Sequence, residues 1–140
     1  MNGQRTTVQL LAVVLVSCSG RASPSEAPGT YRMTHAGRTD TIEICPDGTF
    51  SHRVVSQAGV LLAERGLWEW DLAPPPLRNV DLISFTQFST MVAGMEGHGI
   101  WPATVDKYFG RIRLTLNEDR DLYYDKVTSD TSRCGSQSPQ

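Results

Sequence analysis

The sequence lacks long apolar runs, sustained helical periodicity and any excess of basic side chains. A membrane-spanning helix needs about 20 consecutive apolar residues, and the main apolar run, Val8–Val16, covers only nine positions and contains Gln9. Thirteen Lys and Arg residues face fifteen Asp and Glu residues, so no basic face for nucleic acid is expected. Because no segment repeats apolar residues at the helical period, a helical fold is not expected either.

Recognisable catalytic and metal-binding patterns are also missing. The histidines His35, His52 and His98 stand far apart, without carboxylates or cysteines at ligand spacing, so no metal site is predicted. Ser51 beside His52, and Ser89 before His98, lack the elbow motif that exposes a nucleophilic serine. The sequence therefore predicts a non-enzymatic protein without a metal or cofactor.

The first eighteen residues have the three-part pattern of a secretory signal. Arg5 supplies positive charge, Val8–Val16 is apolar, and small residues follow. The tetrapeptide Leu15-Val16-Ser17-Cys18 resembles the lipobox of bacterial lipoproteins. That resemblance implies that Leu15, Val16 and Ser17 are recognised by the signal peptidase and that residues 1–17 are removed. It also implies that Cys18 carries a diacylglyceryl group, whose two chains hold a membrane more durably than one.

Residues 18–29 are predicted to comprise the lipidated cysteine and a linker. Arg21–Gly29 is rich in Ser, Pro, Ala and Gly, a composition typical of flexible tethers. The predicted location is the cell envelope, facing the periplasm, with the outer membrane favoured because Ser19 after Cys18 is no inner-membrane retention signal. The alternative is ordinary signal cleavage near Cys18 or at Ala22, which would release a soluble protein.

If Cys18 carries lipid, the remaining cysteines, Cys45 and Cys134, suffice for one disulfide. An exported protein permits such a bond. It would close a loop of about 90 residues and contribute about 4 kcal/mol in a chain-entropy treatment. The alternative is a pair of free thiols.

Turn and strand signals dominate residues 30–127, the predicted domain, and a polar tail follows at 128–140. Pro46-Asp47-Gly48 is the clearest turn signal, since proline and glycine suit its two special positions. The predicted hairpin pairs Ile44 with Phe50 and places Ile42 opposite His52. Further strands are expected in these segments: 30–36, 60–64, 66–71, 80–87, 101–108, 111–117 and 122–127. The pattern predicts an all-β antiparallel meander of about eight strands, closed into a small barrel or folded into a β-sandwich.

Three segments carry a resemblance to a family. Gly29-Thr30-Tyr31, the run from Ile42 to Phe50 and Gly66-Leu67-Trp68 look like the short lipocalin-like domains of bacterial envelope proteins. The late segments 110–114 and 123–126 look like closing strands of that family. The resemblance implies a barrel and says little about activity. In true lipocalins the Gly-x-Trp motif lies on the first strand, so the lipocalin ligand site is not carried over to Gly66 and Trp68.

Two groups of residues are candidates for binding. An inward His52 would either line a cavity or lie at the barrel rim, and the rim is favoured; the tryptophans would form an apolar wall or fill the core. The segment Phe88–Gly99 is expected to be a long, mobile loop, either suited to recognition or a disordered connection without a role. The ligand-lining candidates are His52, Trp68, Trp70 and Trp101, and the recognition-loop candidates are Met91, Met95 and His98.

Three functions are therefore compared. The first is a lipid-anchored envelope module that binds a small apolar molecule or a protein partner, and a cavity lined by Trp68 or His52 would favour it. The second is an inhibitor or accessory protein of a periplasmic enzyme, favoured by a filled core and a projecting 88–99 loop. The third and least favoured is a hydrolase, which would need two acids or a Ser–His pair converging in a cleft.

Overall fold

The computed structural model describes residues 20–72 and 80–134, which form one closed antiparallel barrel. Each strand pairs with the next in chain order, and the last returns to the first. The all-β meander is thereby confirmed, and the barrel is observed in place of the sandwich. The strands are β1 Gly29–His35, β2 Arg38–Ile44, β3 Thr49–Ser56, β4 Gly59–Leu72, β5 Asp81–Thr90, β6 Gly97–Tyr108, β7 Arg111–Asn117 and β8 Leu122–Thr128.

Several predictions fall outside the described residues. They concern the signal segment 1–17, the lipobox with Cys18 and the end of the tail at 135–140. Within the described ranges, no helix is long and apolar enough to cross a bilayer.

The β2–β3 hairpin has the predicted register. Ile44 pairs with Phe50, and Ile42 pairs with His52. The Asp47 carboxylate accepts hydrogen bonds from the Thr49 amide at 3.0 Å and from its hydroxyl at 2.6 Å, which stabilises the turn locally.

Strand β4 is continuous, although two strands at 60–64 and 66–71 were expected. Gly66 does not interrupt the strand, because its missing side chain leaves space for Phe50. A Cβ at Gly66 would lie 2.6 Å from the Phe50 ring and 2.1 Å from the Thr86 carbonyl oxygen. The glycine therefore serves a close approach within the sheet.

The predicted long loop Phe88–Gly99 is wrong in its extent. Strand β5 continues to Thr90 and β6 begins at Gly97, so the connection spans only residues 91–96. A bulge in β5 places Gln87 at a φ of 59° and turns Phe88 into the core. Such an extra residue changes the side-chain alternation of a strand, which the sequence pattern did not reveal.

The barrel interior is filled by side chains. Phe50, Phe85 and Phe88 form an aromatic cluster, with 5.1 Å between the ring centroids of Phe50 and Phe85 in an edge-to-face contact. Aliphatic residues complete the core around them. An eight-stranded barrel is narrow enough for its side chains to fill it.

One end of the barrel, here called the terminal end, receives residues 20–28. The tether predicted over Arg21–Gly29 is replaced there by packed chain: Ala22 and Ala27 are buried in the core, and a short 3₁₀ helix spans Pro24–Glu26. The Tyr31 hydroxyl donates to the Ala27 carbonyl oxygen at 2.7 Å. Apolar burial and this buried hydrogen bond outweigh the flexible composition.

The predicted disulfide is present at the same end. Cys45 and Cys134 are bonded, with 5.7 Å between their Cα atoms. The bond ties the segment after β8 to the turn between β2 and β3. The opposite end, here called the loop end, carries the β1–β2, β3–β4, β5–β6 and β7–β8 connections.

Candidate functional site

A histidine lies between two carboxylates inside the barrel. The Nε2 atom of His52 is 2.7 Å from Asp40 Oδ1, and its Nδ1 atom is 2.8 Å from Glu64 Oε1. Its ring stacks on Phe88 with 4.3 Å between centroids. The inward orientation of His52 is confirmed, since only 1% of its surface is exposed. Asp40 and Glu64 supply both ring nitrogens of His52 with partners.

Strand pairing explains how these groups meet. Asp40 lies two residues before Ile42 and therefore on the same inward face of β2. Glu64 is the direct cross-strand partner of His52 on β4. Tyr124 on β8 is buried next to Asp40, and burial together with that carboxylate raises the pKa of its hydroxyl. We call Asp40, His52, Glu64 and Tyr124 the polar cluster.

The hydrogen bonds of this cluster favour a protonated histidine. Ionised carboxylates only accept hydrogen bonds, so both nitrogens of His52 must donate when they face Asp40 and Glu64. Burial lowers the pKa of His52, but the hydrogen bonds to Asp40 and Glu64 outweigh it and raise that pKa above its ordinary value. An imidazolium between two carboxylates leaves one net negative charge.

Glu64 is held from its other side by Ser89. The Ser89 amide donates to Oε1 at 2.6 Å, and its hydroxyl donates to Oε2 at 2.7 Å. Burial raises the pKa of Glu64, yet the hydrogen bonds from His52 and Ser89 lower it overall. Glu64 therefore stays ionised and fixed in orientation.

Ser89 also contacts His98, whose Nδ1 atom lies 2.9 Å from the Ser89 hydroxyl oxygen. A nucleophilic serine needs a histidine whose opposite ring nitrogen is oriented by an acid. Here Glu64 lies 4.0 Å from the same nitrogen, Nδ1, and His98 is well exposed. The order of these hydrogen-bonded groups therefore differs from that in a hydrolytic triad. It is instead suited to fixing the orientation of the Glu64 carboxylate.

A cavity of about 450 Å³ opens at the loop end. This volume lies within the range of small-molecule sites. Met33, Val54 and Val92 give it apolar walls, and the buried Asp40 is also among its lining residues. The other lining residues are His35, Ala36, Arg38, Thr90, Met91, Ala93 and Glu96. The cavity therefore joins an apolar space to the polar cluster.

The 91–96 connection, here called the mouth loop, folds down over this end. Arg38 donates to the Met91 carbonyl oxygen at 3.2 Å, and the Thr90 hydroxyl donates to the Met95 carbonyl oxygen at 2.7 Å. The side chains of Val92 and Met95 pack against the core. The loop is thus part of the cavity wall and does not project.

The structure separates the sequence candidates from one another. Met91 lines the cavity, Met95 packs against the core, and His98 lies on β6. None of the four ligand-lining candidates lines this cavity. His52 is buried beneath it, and Trp68, Trp70 and Trp101 pack as partly buried residues against the core.

Trp68 has a structural role that fits the interpretation of the tryptophans as core residues. Its indole nitrogen donates to the Cys45 carbonyl oxygen at 2.8 Å, beside the disulfide. A tryptophan with an apolar body in the core and one outward hydrogen bond is typical of core packing.

Asp40, Glu64, Ser89 and Tyr124 were not among the binding candidates from the sequence, where Ser89 was considered only as a nucleophile. Asp40 could have been found, because it continues the inward alternation of Ile42 and Ile44 on a predicted strand. Glu64 could not, because its place opposite His52 depends on the β3–β4 register, which includes an irregularity between Val54 and Val55.

Among the described side chains, no group of three or more His, Cys, Asp or Glu residues is arranged to hold a metal ion. Comparisons with protein-family models, with curated proteins and with solved structures found no match for this chain.

Proposed function

We propose that this protein is a lipid-tethered binding module of the bacterial cell envelope. Its loop-end cavity would hold a small, largely apolar molecule that carries a cationic or hydrogen-bond-donating group. The cavity, with apolar walls and the buried acid Asp40 in its lining, is the observation that carries this proposal.

The polar cluster favours a ligand whose polar group is a hydrogen-bond donor or a cation. A carboxylate has about four lone-pair sites, and Asp40 uses one of them for His52. Its remaining capacity faces the cavity, since Asp40 lines it. The net negative charge of the cluster favours a cation over an anion at this point.

The lipobox-like segment supports the tether. Leu15, Val16 and Ser17 before Cys18 follow the lipoprotein pattern, and the disulfide between Cys45 and Cys134 suits an exported protein. A disulfide also leaves Cys18 as the one cysteine of the sequence outside that pair.

The two rival functions have less support. An inhibitor that presents a loop to an enzyme needs a projecting segment, whereas the mouth loop is packed on the barrel. A hydrolase has the Ser89–His98 contact in its favour, but the serine is bonded to Glu64 through both its amide and its hydroxyl.

Ligand binding is tested with the fluorescent neutral probe N-phenyl-1-naphthylamine and residues 20–140, which include every strand and both disulfide cysteines. Octylamine should displace the probe at lower concentration than octanoate does. Val54→Phe, which fills the cavity, should abolish binding, whereas Val60→Phe at an exposed position should not. Equal binding by both variants would exclude this cavity as the site.

Asp40 is tested separately for its part in ligand choice. Asp40→Asn should reduce the preference for octylamine over octanoate by about tenfold, since it removes a charge-assisted hydrogen bond. An unchanged preference would show that the carboxylate does not meet the ligand.

The tether is tested by intact mass and fractionation of the wild type beside Cys18→Ala, both expressed in a bacterial host. We expect an acylated species that begins at Cys18 in the wild type and is lost in the variant. An unmodified, soluble wild type would contradict the tether and leave the binding proposal to be judged on the cavity alone.

A further inference from the structure

We propose that the terminal end of the barrel docks on the membrane surface through Tyr108, Phe109 and Val127. The barrel would then stand on the bilayer with its ligand cavity at the far end. This inference rests on the proposed tether at Cys18, and its occupant is a phospholipid surface.

The chain between Cys18 and the barrel is short. Ala22 is buried in the core at the terminal end, only four residues after Cys18. Four residues span at most about 14 Å when fully extended. A lipid on Cys18 therefore keeps the terminal end within about one strand length of the bilayer surface.

Exposed apolar side chains lie beside that point of entry. Phe109 is 88% exposed, Tyr108 is 57% exposed and Val127 is 49% exposed. The β6–β7 turn and the 3₁₀ helix Pro24–Glu26 border one groove of the terminal end. Lys107, two residues before Phe109, pairs with Glu26 at 2.7 Å. The entering chain and the apolar patch thus belong to the same surface.

The backbone at Phe109 points to a contact outside the molecule. Its φ of 48° is followed by a φ of 77° at Gly110, a pair of left-handed residues typical of tight hairpin turns that favour Asn-Gly. A bulky residue is unfavourable there, and Phe109 gains little burial within the barrel in return. Strain of this kind at an exposed position is common at functional sites.

A bilayer suits this set of residues. Aromatic side chains are enriched at the membrane–water boundary, where their rings lie at the level of the headgroups. Arg111, exposed immediately after the turn, is placed to meet lipid phosphates. A second copy of the chain or another protein is the competing occupant.

The test introduces a reporter at the patch. Phe109→Trp and, as the control at the loop end, Val60→Trp are prepared as mature, acylated proteins in vesicles of phosphatidylethanolamine and phosphatidylglycerol. The wild type contains Trp68, Trp70 and Trp101, so its emission is subtracted from that of each variant. The remaining emission is then compared between vesicles with and without brominated acyl chains. We expect the additional emission at position 109 to fall about twofold or more, and that at position 60 to remain, because bromine quenches only nearby indoles.

Three results would contradict the membrane docking, and the measurements distinguish them. A mass spectrum without acyl chains would refute the tether and, with it, this docking. Acylated protein with equal, weak quenching at positions 109 and 60 would overturn the docking alone. Acylated protein that self-associates in mild detergent, and that becomes monomeric with Phe109→Asn, would assign the patch to a second copy and also overturn the membrane proposal.

Discussion

The ring of His52 contributes to stability mainly through its charge. Asp40 and Glu64 are largely buried, and ionised groups in such places are costly unless they are paired. Removing one member of a buried ionic group typically destabilises a protein by about 3–5 kcal/mol, because the partners lose their compensation. The polar cluster is therefore expected to govern how stability changes with pH.

We expect His52→Gln to lower the free energy of unfolding by about 3 kcal/mol near pH 6. The raised pKa of His52 means that its stabilisation is complete below 6.5, the ordinary pKa, and is lost as pH rises through the raised value. The lowered pKa of Glu64 means that its stabilisation is complete above 4.5 and is lost as pH falls. The wild type should thus be most stable between these two values, as measured by urea unfolding across pH.

The His52→Gln variant should lack the loss of stability that the wild type shows as pH rises through the raised pKa of His52. Parallel profiles for wild type and variant would show that another group causes the decline.

Phe109 presents the opposite case, in which the native residue is not the most stable one. Phe109→Asn should raise the free energy of unfolding by about 1 kcal/mol, because asparagine tolerates the left-handed conformation. Val127→Asn, also exposed but within strand β8, should bring no such gain. Thermal unfolding of the two variants tests this, and a loss of stability at position 109 would show that the phenyl ring packs within the molecule.

Among the elements, β3, β4 and β5 meet at Gly66. The Phe50 ring and the Thr86 carbonyl occupy the space where a side chain would lie. We expect Gly66→Ala to destabilise the barrel by about 2 kcal/mol, since overpacking forces backbone or ring shifts.

Gly97 provides the matched control for that substitution. A Cβ there would meet only the Trp101 ring at 3.5 Å, an ordinary contact. Gly97→Ala should change stability by less than about 0.5 kcal/mol. Equal effects of the two substitutions in urea unfolding would remove the steric explanation.

The disulfide holds the segment that follows β8 against the turn between β2 and β3. The pair of changes Cys45→Ala and Cys134→Ala should cost about 4 kcal/mol, because the bond restricts a long loop of the unfolded chain. Urea unfolding of the double variant beside the oxidised wild type measures this. The reduced and alkylated wild type should behave like the double variant, and a stability unchanged by both treatments would contradict the entropic account.

Across the whole molecule, residues 20–28 close one end of the barrel and the mouth loop covers the other. If the first segment is part of the fold, Ala27→Glu should lower the free energy of unfolding by about 3 kcal/mol, because it buries an unpaired charge. Ser25→Glu, in the same segment but exposed, should have little effect. A flexible tether would tolerate both changes, so thermal unfolding of the pair separates the two descriptions.

Local chemistry by itself determined the all-β class, the β2–β3 hairpin and the inward face that carries His52. These features follow from alternation of side chains and from the Pro46-Asp47-Gly48 turn, which act over a few residues. The count of cysteines likewise indicated the pairing of Cys45 with Cys134, but only the structure decided between this bond and two free thiols.

Only the tertiary structure decided the polar cluster, the cavity and the packing of residues 20–28. Glu64 meets His52 through the register of a strand whose continuity depends on Phe50 filling the space at Gly66. The bulge at Gln87 turns Phe88 inward and shortens the predicted loop to the mouth loop. These features depend on contacts between residues distant in sequence, and side-chain alternation along one strand contains no information about them.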